Sequence, residues 1–570
     1  MPALSRTESE LFLAALGEPL NARRHELVLR FAQGNPLALG ELFHAARTGA
    51  TIEDSVVPIT ARLERAFASE VGALDPRARR LLLLAVAGVD ISLAELMAAA
   101  ATVGAGPGEL GALEEHGLLT VSGGNLRFRH PLLRSTVYGR AALTERIAAH
   151  ETLAAVVADP HRRAWHRAGA VLGWDDDIAR ELEEAARELA RRGAPAEAAA
   201  ALSRAAELTT GPRDRARRLV DAAEHARRAG LTDLVAELVG RARPLTDDPV
   251  VRLMLHTMRA GTAAFASATR PDLQPYADFA RELAGRDAAD FDENLLRLLW
   301  PMGPLVWLYG GDGPVVQQAV EHVLAIRTPR WSPWKWLLLA ALDPPRFAER
   351  IVPRLDEMLA LWESDPGALP VNFAHIVSAV QRVTRSVPLH EKIRDTLRAG
   401  GSGADQARHE VALATSRNVI GDPRGGLVAA RVATRLSEAL ALPMQTAAGY
   451  AAEALAQAWL GDAAGSRAAF EASERTAPTA WPIVRANRHW AAGLLALSER
   501  RYREAWDHLG RTSVHATTYL WAIGDLTEAA VPAGETVAAR AALADLHPDV
   551  LALDSPEVDA TYERARALVD

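Results

Sequence analysis

Cysteine is absent from this chain, which excludes disulfides, thiolate zinc sites, iron–sulfur clusters and thiol nucleophiles. Lysine is nearly absent: Lys335 and Lys392 are the only two among 64 basic residues, and arginine supplies the rest. No apolar run approaches the ~20 residues that span a bilayer. The opening MPALSRTESELFLAAL has no basic region followed by an apolar stretch, so no secretory signal is indicated. A cytoplasmic location without membrane contact is expected. Excess positive charge is also missing. With 72 acidic against 64 basic residues the net charge is −8, and no global field draws the chain to nucleic acid. Catalytic signatures are missing too. His25, His150, His390 and His409 are each followed by glutamate, but none completes HExxH, and no GxSxG elbow occurs. His161 and His166 could share a helix face, yet no third ligand accompanies them, so no metal site is expected. Without a converging acid–base or nucleophile set, an enzyme is not expected either.

What is present argues for helix. At 570 residues the chain is too long for one core, so several domains or a repeat array are expected. A hydrophobic content of 49 % and a charged fraction of 24 % are those of a folding sequence. Alanine and leucine dominate and β-branched runs are rare, which predicts an all-α fold.

Residues 7–16 and 22–32 carry helical periodicity, with Asn21 a candidate cap for the second. Gly34-Asn35-Pro36 breaks the chain before a helix over 37–46. A helix is predicted over 62–74. Asp75-Pro76 then caps and starts another, Ser92 caps the next, and residues 108–116 make a short helix with Gly117 beyond its end. Residues 118–121 and 126–128, joined by Gly123-Gly124, read as a two-stranded hairpin. Short helices leading into a hairpin make a winged-helix pattern. The segment that would be its recognition helix carries Glu109, Glu114 and Glu115 and no basic residue, which argues against DNA contact. The stretch LRFRHPLLRSTVY, Leu126 to Tyr138, runs from strand through His130 and Pro131 into a helix, and divides this module from the long C-terminal run of helices.

GNPLAL at residues 34–39, the winged-helix pattern and FRHPLLRSTVY at residues 128–138 together resemble the large ATP-binding regulators of the LuxR family, which are STAND-type nucleotide switches. The resemblance continues through the segment from Asp159 to Ala170. It implies that Pro36 lies on the adenine side of a nucleotide and that His130 senses its β-phosphate. The departures are specific. Neither lysine follows a glycine-rich loop, so no Walker A motif is present, and no apolar strand ending in aspartate precedes Gly34. Nor does the family's terminal helix-turn-helix appear. ATP or ADP is therefore expected as a cofactor only where an ATPase module is supplied, and the chain reads as a fragment or a reduced homologue.

Beyond residue 150, alanine-rich helices alternate with turns at a spacing near that of tetratricopeptide repeats. Turn glycines Gly193 and Gly230 lie 37 residues apart, and Gly421 and Gly461 lie 40 apart. Small residues at helix crossings let pairs approach and bury their stripes on neighbours, which predicts a TPR-like α-solenoid. Acidic runs such as Asp175-Asp176-Asp177 read as helix caps and solvated faces. All 13 tryptophans lie beyond residue 164, and five fall between residues 300 and 336. Trp300, Trp307, Tyr309, Trp331, Trp334 and Trp336 form a candidate ligand or partner pocket, beside Gly310-Gly311-Asp312-Gly313. The plainer reading of the same rings is as fillers between irregular helices.

The expected organisation is an ATPase-lid-like segment over 1–60, a winged-helix-like domain over 61–150 and a TPR-like superhelix over 151–570. The expected function is regulatory: a sensor or interaction region that binds a protein partner or small-molecule inducer, without nucleic acid contact of its own. The alternative is a standalone TPR-like scaffold with no nucleotide dependence.

Overall fold

Short polar residues ahead of prolines start the N-terminal helices. Asn35 Oδ1 accepts from the Ala38 amide at 3.2 Å, and Pro36 opens the helix Pro36–Arg47. Asp75 Oδ1 accepts from the amides of Arg77 (2.7 Å) and Ala78 (3.1 Å), with Pro76 leading Pro76–Ala87. Ser92 and Glu95 cap Leu93–Thr102 reciprocally. Each cap satisfies amides that a first helical turn leaves without an intrahelical partner. The helix Pro107–Glu115 ends ahead of Gly117, whose φ of +63° turns the chain into the strand Leu119–Ser122. That strand pairs antiparallel with Asn125–Phe128, in the register Leu119 to Phe128. Gly123 and Gly124, at φ +59° and +79°, are the two central residues of the turn, and positive φ at both matches the twist of the strands.

The computed structural model describes residues 4–16, 28–29, 32, 35–47, 71–88, 91–129, 131–266, 270–283, 292, 295–296, 299–309, 313–327, 332–364, 373–399 and 402–570. Most of the expected helices over 22–32 and 62–74 lies outside the described residues. The chain divides into two units. The first is Met1–Leu189 with Glu197–Arg218; the second is Ala190–Ala196 with Leu219–Asp570. No helix among the described residues is long and apolar enough to cross a membrane.

In the first unit, Leu81, Leu82, Leu96, Leu113, Leu119 and Leu153 share one core, which joins the three helices, the hairpin and the helix Leu143–Val156. Arg134, on the helix Pro131–Arg140, donates to the Val86 carbonyl at 2.9 Å and ties the segment after the hairpin to this core. In a second cluster Ala164, Ile178, Leu182 and Leu208 pack together. Glu183, only 7 % exposed, lies beside it. Its carboxylate accepts from Arg187 (2.6 Å), Arg217 (2.9 Å) and Arg218 (3.0 Å), and Arg218 is itself buried. The Arg217 hydrogen bonds, outweighing burial, hold the Glu183 pKa down at about 2.

The second unit shows the repeat. Helices begin at Gly403–Val419, Pro443–Trp459, Pro482–Ser498, Ala516–Ala533 and Pro556–Val569, alternating with Pro423–Ala439, Ala463–Thr476, Tyr502–Gly510 and Thr536–Leu553. Neighbours in this series pack on each other, and each helix of the first set also packs on the next of that set. That is the TPR-like α-solenoid read from the sequence. Gly421 and Gly461 take φ of +84° and +77° at equivalent turns, and Asp422 and Asp462 then cap Gly425 and Gly465, each at 2.9 Å. Arg500 occupies the next such turn at φ +59°, without glycine. Close approach depends on missing side chains. A Cβ on Gly449 would meet Thr434 Oγ1 at 2.5 Å, and one on Gly493 would meet Leu509 Cγ at 2.5 Å.

Stability should respond at both kinds of contact. Glu183→Gln leaves Arg218 without its carboxylate and is expected to destabilise the chain by about 3 kcal/mol in urea unfolding at neutral pH. Because folding lowers the Glu183 pKa from 4.5 to about 2, its contribution is full above pH 4.5 and is lost as pH falls toward 2. The penalty of Glu183→Gln should shrink across that window, and a penalty independent of pH would contradict the assignment. Gly449→Ala should cost about 1–3 kcal/mol through overpacking against Thr434. Gly261→Ala, whose Cβ meets nothing within 4 Å, should not destabilise.

Candidate functional site

Within the second unit, the close packing gives way where the tryptophan-rich segment enters. A cavity of about 470 Å³ opens there. The helices Pro249–Ala266, Met302–Tyr309, Phe373–Ala379, Gly403–Val419, Pro443–Trp459 and Pro482–Ser498 contribute to its wall. Among the described residues four indoles line it: Trp300, Trp307, Trp481 and Trp521. Met254, Met258 and Leu305 add apolar surface.

The indoles are fixed from behind. Trp481 Nε1 donates to the Ala264 carbonyl at 3.0 Å and meets the Tyr309 hydroxyl at 3.1 Å. Trp521 Nε1 donates to Gln381 Oε1 at 2.6 Å. Gln381 stands at φ +58°, a left-handed conformation costing roughly 1 kcal/mol outside glycine. Trp307 stacks edge-on with His515, ring centres 5.2 Å apart, and lies 6.4 Å from the Trp521 ring. His515 accepts from the Thr518 amide through Nδ1, so its Nε2 carries the proton donated to the Trp307 carbonyl at 2.9 Å. Burial holds the His515 pKa down at about 4, which keeps the ring neutral for that role.

One side of the cavity is ionic. Asp405 is buried and receives Arg227 at 3.0 Å, the Ser402 hydroxyl at 2.8 Å, and Arg408. Arg227 also holds Glu224 at 2.8 Å. Two guanidiniums thus face two carboxylates. Although burial opposes ionisation, the Arg227 and Arg408 charges hold Asp405 well below the usual carboxylate range, and Arg227 is held well above its own usual value. Gln445 Oε1 and Asn487 Oδ1, in residues that also line the cavity, are buried acceptors with no partner among the described residues. They would take hydrogen bonds from an occupant.

His375 lines the same cavity and touches two further histidines. Its ring centre is 5.0 Å from that of His390 and 4.9 Å from that of His409. His390 Nδ1 and His409 Nε2 are 3.1 Å apart. Burial pushes all three pKa values down, that of His375 to about 3, so the rings are neutral.

The sequence-derived candidates divide between several places. Trp300 and Trp307 line the cavity. Tyr309 stands behind Trp481, and Trp334 packs edge-on behind Trp300 at 6.1 Å. Trp336 lies between the Lys335 and Arg354 cations, 5.4 and 5.7 Å from its ring centre, away from the cavity lining. Lys335 closes a helix end by donating to the carbonyls of Leu324 (2.7 Å) and Ile326 (2.9 Å). Trp331, Gly310, Gly311, Asp312 and His130 lie outside the described residues. Pro36 is the half-buried first residue of its helix. His166 meets His150, at 3.0 Å, instead of His161, and His150 also meets the Tyr138 hydroxyl at 2.8 Å. Sequence reasoning missed Trp481, Trp521, the Arg227–Asp405 pair and the three histidines. In the sequence, His390-Glu391 and His409-Glu410 stand out only as incomplete HExxH motifs. Their spacing of 19 residues is the signal, because Thr434 and Glu453 (2.8 Å) and His489 and His508 (3.3 Å) use the same spacing across adjacent helices.

No protein-family model matches the chain, and no curated protein matches it. Solved structures do. A signal transduction ATPase with numerous domains and a tetratricopeptide repeat sensor, from Pyrococcus horikoshii, is 11 % identical with a TM-score of 0.29, over 100 % of this chain and 75 % of that one. A Rap protein complexed with competence and sporulation factor is 11 % identical with a TM-score of 0.36, over 62 % of this chain and 97 % of its own. A chain of an APC/C hetero-tetramer is 10 % identical with a TM-score of 0.37, over 75 % of this chain and 91 % of its own.

Proposed function

We propose that the second unit is a small-molecule sensor, and that the chain is the signal-receiving region of a LuxR-type, STAND-like regulator. The observation that carries the sensor reading is the cavity itself. Its volume, about 470 Å³, is that of a small-molecule site, and its lining is mostly apolar with one ionic side. Trp481 and Trp521, held by hydrogen bonds through their ring nitrogens, present fixed faces to an occupant. Gln445 and Asn487 offer acceptors, so the occupant is a flat or apolar molecule that carries hydroxyl or amine donors. The regulator reading rests on GNPLAL and FRHPLLRSTVY. In that picture residues 1–60 are lid-like, residues 61–150 are winged-helix-like, and residues 151–570 form the repeat region. Pro36 and His130 then face a nucleotide that an ATPase module holds. An inducer shifts such a switch only by binding its two arrangements unequally.

A specific observation also supports the scaffold reading. Ile420, Trp459 and Leu460 are 39–45 % exposed at equivalent turns of two successive helix pairs. An apolar stripe of that kind suits a protein partner.

Gly261 lines the cavity, and a Cβ there meets nothing within 4 Å, so a larger side chain can fill the space without disturbing the helix. Hydroxy- and amino-substituted aromatic compounds, titrated against the intrinsic tryptophan fluorescence of the full chain, are expected to include a single-site binder. Trp300→Ala and Trp521→Ala should each weaken it at least about tenfold, or ~1.4 kcal/mol. Gly261→Leu should abolish binding while the melting temperature holds or rises. Unchanged affinity in Gly261→Leu would remove the cavity as the site. Binding of a protein partner that Trp459→Ser abolishes and Gly261→Leu spares would favour the scaffold.

A further inference from the structure

We propose that His375, His390 and His409 form a binding site for a zinc-like divalent transition-metal ion in the wall of the cavity. Each residue offers one ring nitrogen, and the three nitrogens lie within 4.8 Å of one another. A tetrahedral zinc ion at 2.0–2.1 Å from its nitrogens sets them ~3.3 Å apart. One pair, His390 Nδ1 and His409 Nε2, already stands at 3.1 Å and shares a proton, which a change of tautomer frees for an ion to replace.

His390 and His409 are fully buried. His375 Nδ1, His390 Nε2 and His409 Nδ1 have no hydrogen-bond partner among the described residues. For His390 and His409 these are the nitrogens opposite the pair at 3.1 Å, the positions that carry the N–H of each neutral ring once the facing nitrogens bind an ion. Three imidazoles with no thiolate or carboxylate select a borderline ion such as Zn²⁺ over Mg²⁺ or Ca²⁺, which prefer oxygen. Arg408 lies nearby, but its charge is met by Asp405, so it does not oppose a cation with an unpaired charge.

The His489–His508 pair provides an internal contrast. It occupies the same 19-residue register across adjacent helices, with its nitrogens 3.3 Å apart, but it belongs to no comparable group of three among the described residues. Three protein ligands leave a tetrahedral ion one open position. His375 lines the cavity, so a donor atom of the cavity's occupant, or a water, fills it. Metal binding itself does not rest on the small-molecule reading and can be tested without any organic ligand.

The full chain, stripped with a chelator, is titrated with Zn²⁺ by calorimetry and with Co²⁺ by visible absorption. One ion per chain is expected, with the intense bands of tetrahedral cobalt. His375→Gln, His390→Gln and His409→Gln should each lower affinity at least about tenfold, the loss that even an outer-sphere change causes. His489→Gln should leave it unchanged. No stoichiometric binding, or equal loss in His489→Gln, would overturn the site. Should a buried variant fail to fold, X-ray absorption of the zinc-loaded wild type decides. Three imidazole ligands are expected, and two or fewer would overturn the assignment.

Discussion

Close approach of helices at glycine and alanine is the constraint on which the second unit depends. Where Gly449 faces Thr434 and Gly493 faces Leu509, there is no room for another carbon, and the solenoid is solid. Buried polar side chains then tie one helix to the carbonyls of another. Ser466 reaches Ala454, and Arg488 reaches Ser473 and Ala477. The same constraint explains the cavity. Between residues 300 and 307 the chain brings indoles in place of small residues, and these cannot interdigitate as alanine does. Trp300 and Trp307, joined by Trp481 and Trp521, line the space that is left.

That space stays polar at one edge because its charges are matched. Asp405, Arg227, Arg408 and Glu224 neutralise one another, and Ser402 supplies a further hydrogen bond to Asp405. Removing Asp405, the buried member, would leave Arg408 without its carboxylate, which costs more than the net worth of the pair. The neutral histidines beside this cluster are a different solution to burial. They shed their charge instead of pairing it, and are thereby left with lone pairs that can bind a cation.

What is legible in the sequence is what local chemistry decides. The caps at Asn35, Asp75 and Ser92, the Gly123-Gly124 turn and the glycines at 193, 230, 421 and 461 act over a few residues, and each stands where its residue type predicts. Arg500 departs from the glycine rule, holding φ +59° at the corresponding turn. The cavity is only half legible. Trp300 and Trp307 are visible as local density. Trp481 and Trp521 come from far along the chain and from separate repeats, where one indole reads as an ordinary core residue. Arg227 and Asp405 are 178 residues apart, and nothing in either neighbourhood marks a partner. The three histidines meet only because the 19-residue register of one helix pair places two rings together and the helix Phe373–Ala379 brings a third.

The central claim is that the cavity is a preformed ligand site in an otherwise close-packed array. Hydrogen–deuterium exchange of the full chain, with and without a saturating aromatic binder, tests it most directly. Added protection is expected in Pro249–Ala266, Met302–Tyr309, Gly403–Val419 and Pro482–Ser498, with Tyr502–Gly510 and Thr536–Leu553 unchanged. Protection confined to the exposed turns at Ile420 and Trp459, with none in the four lining helices, would contradict it.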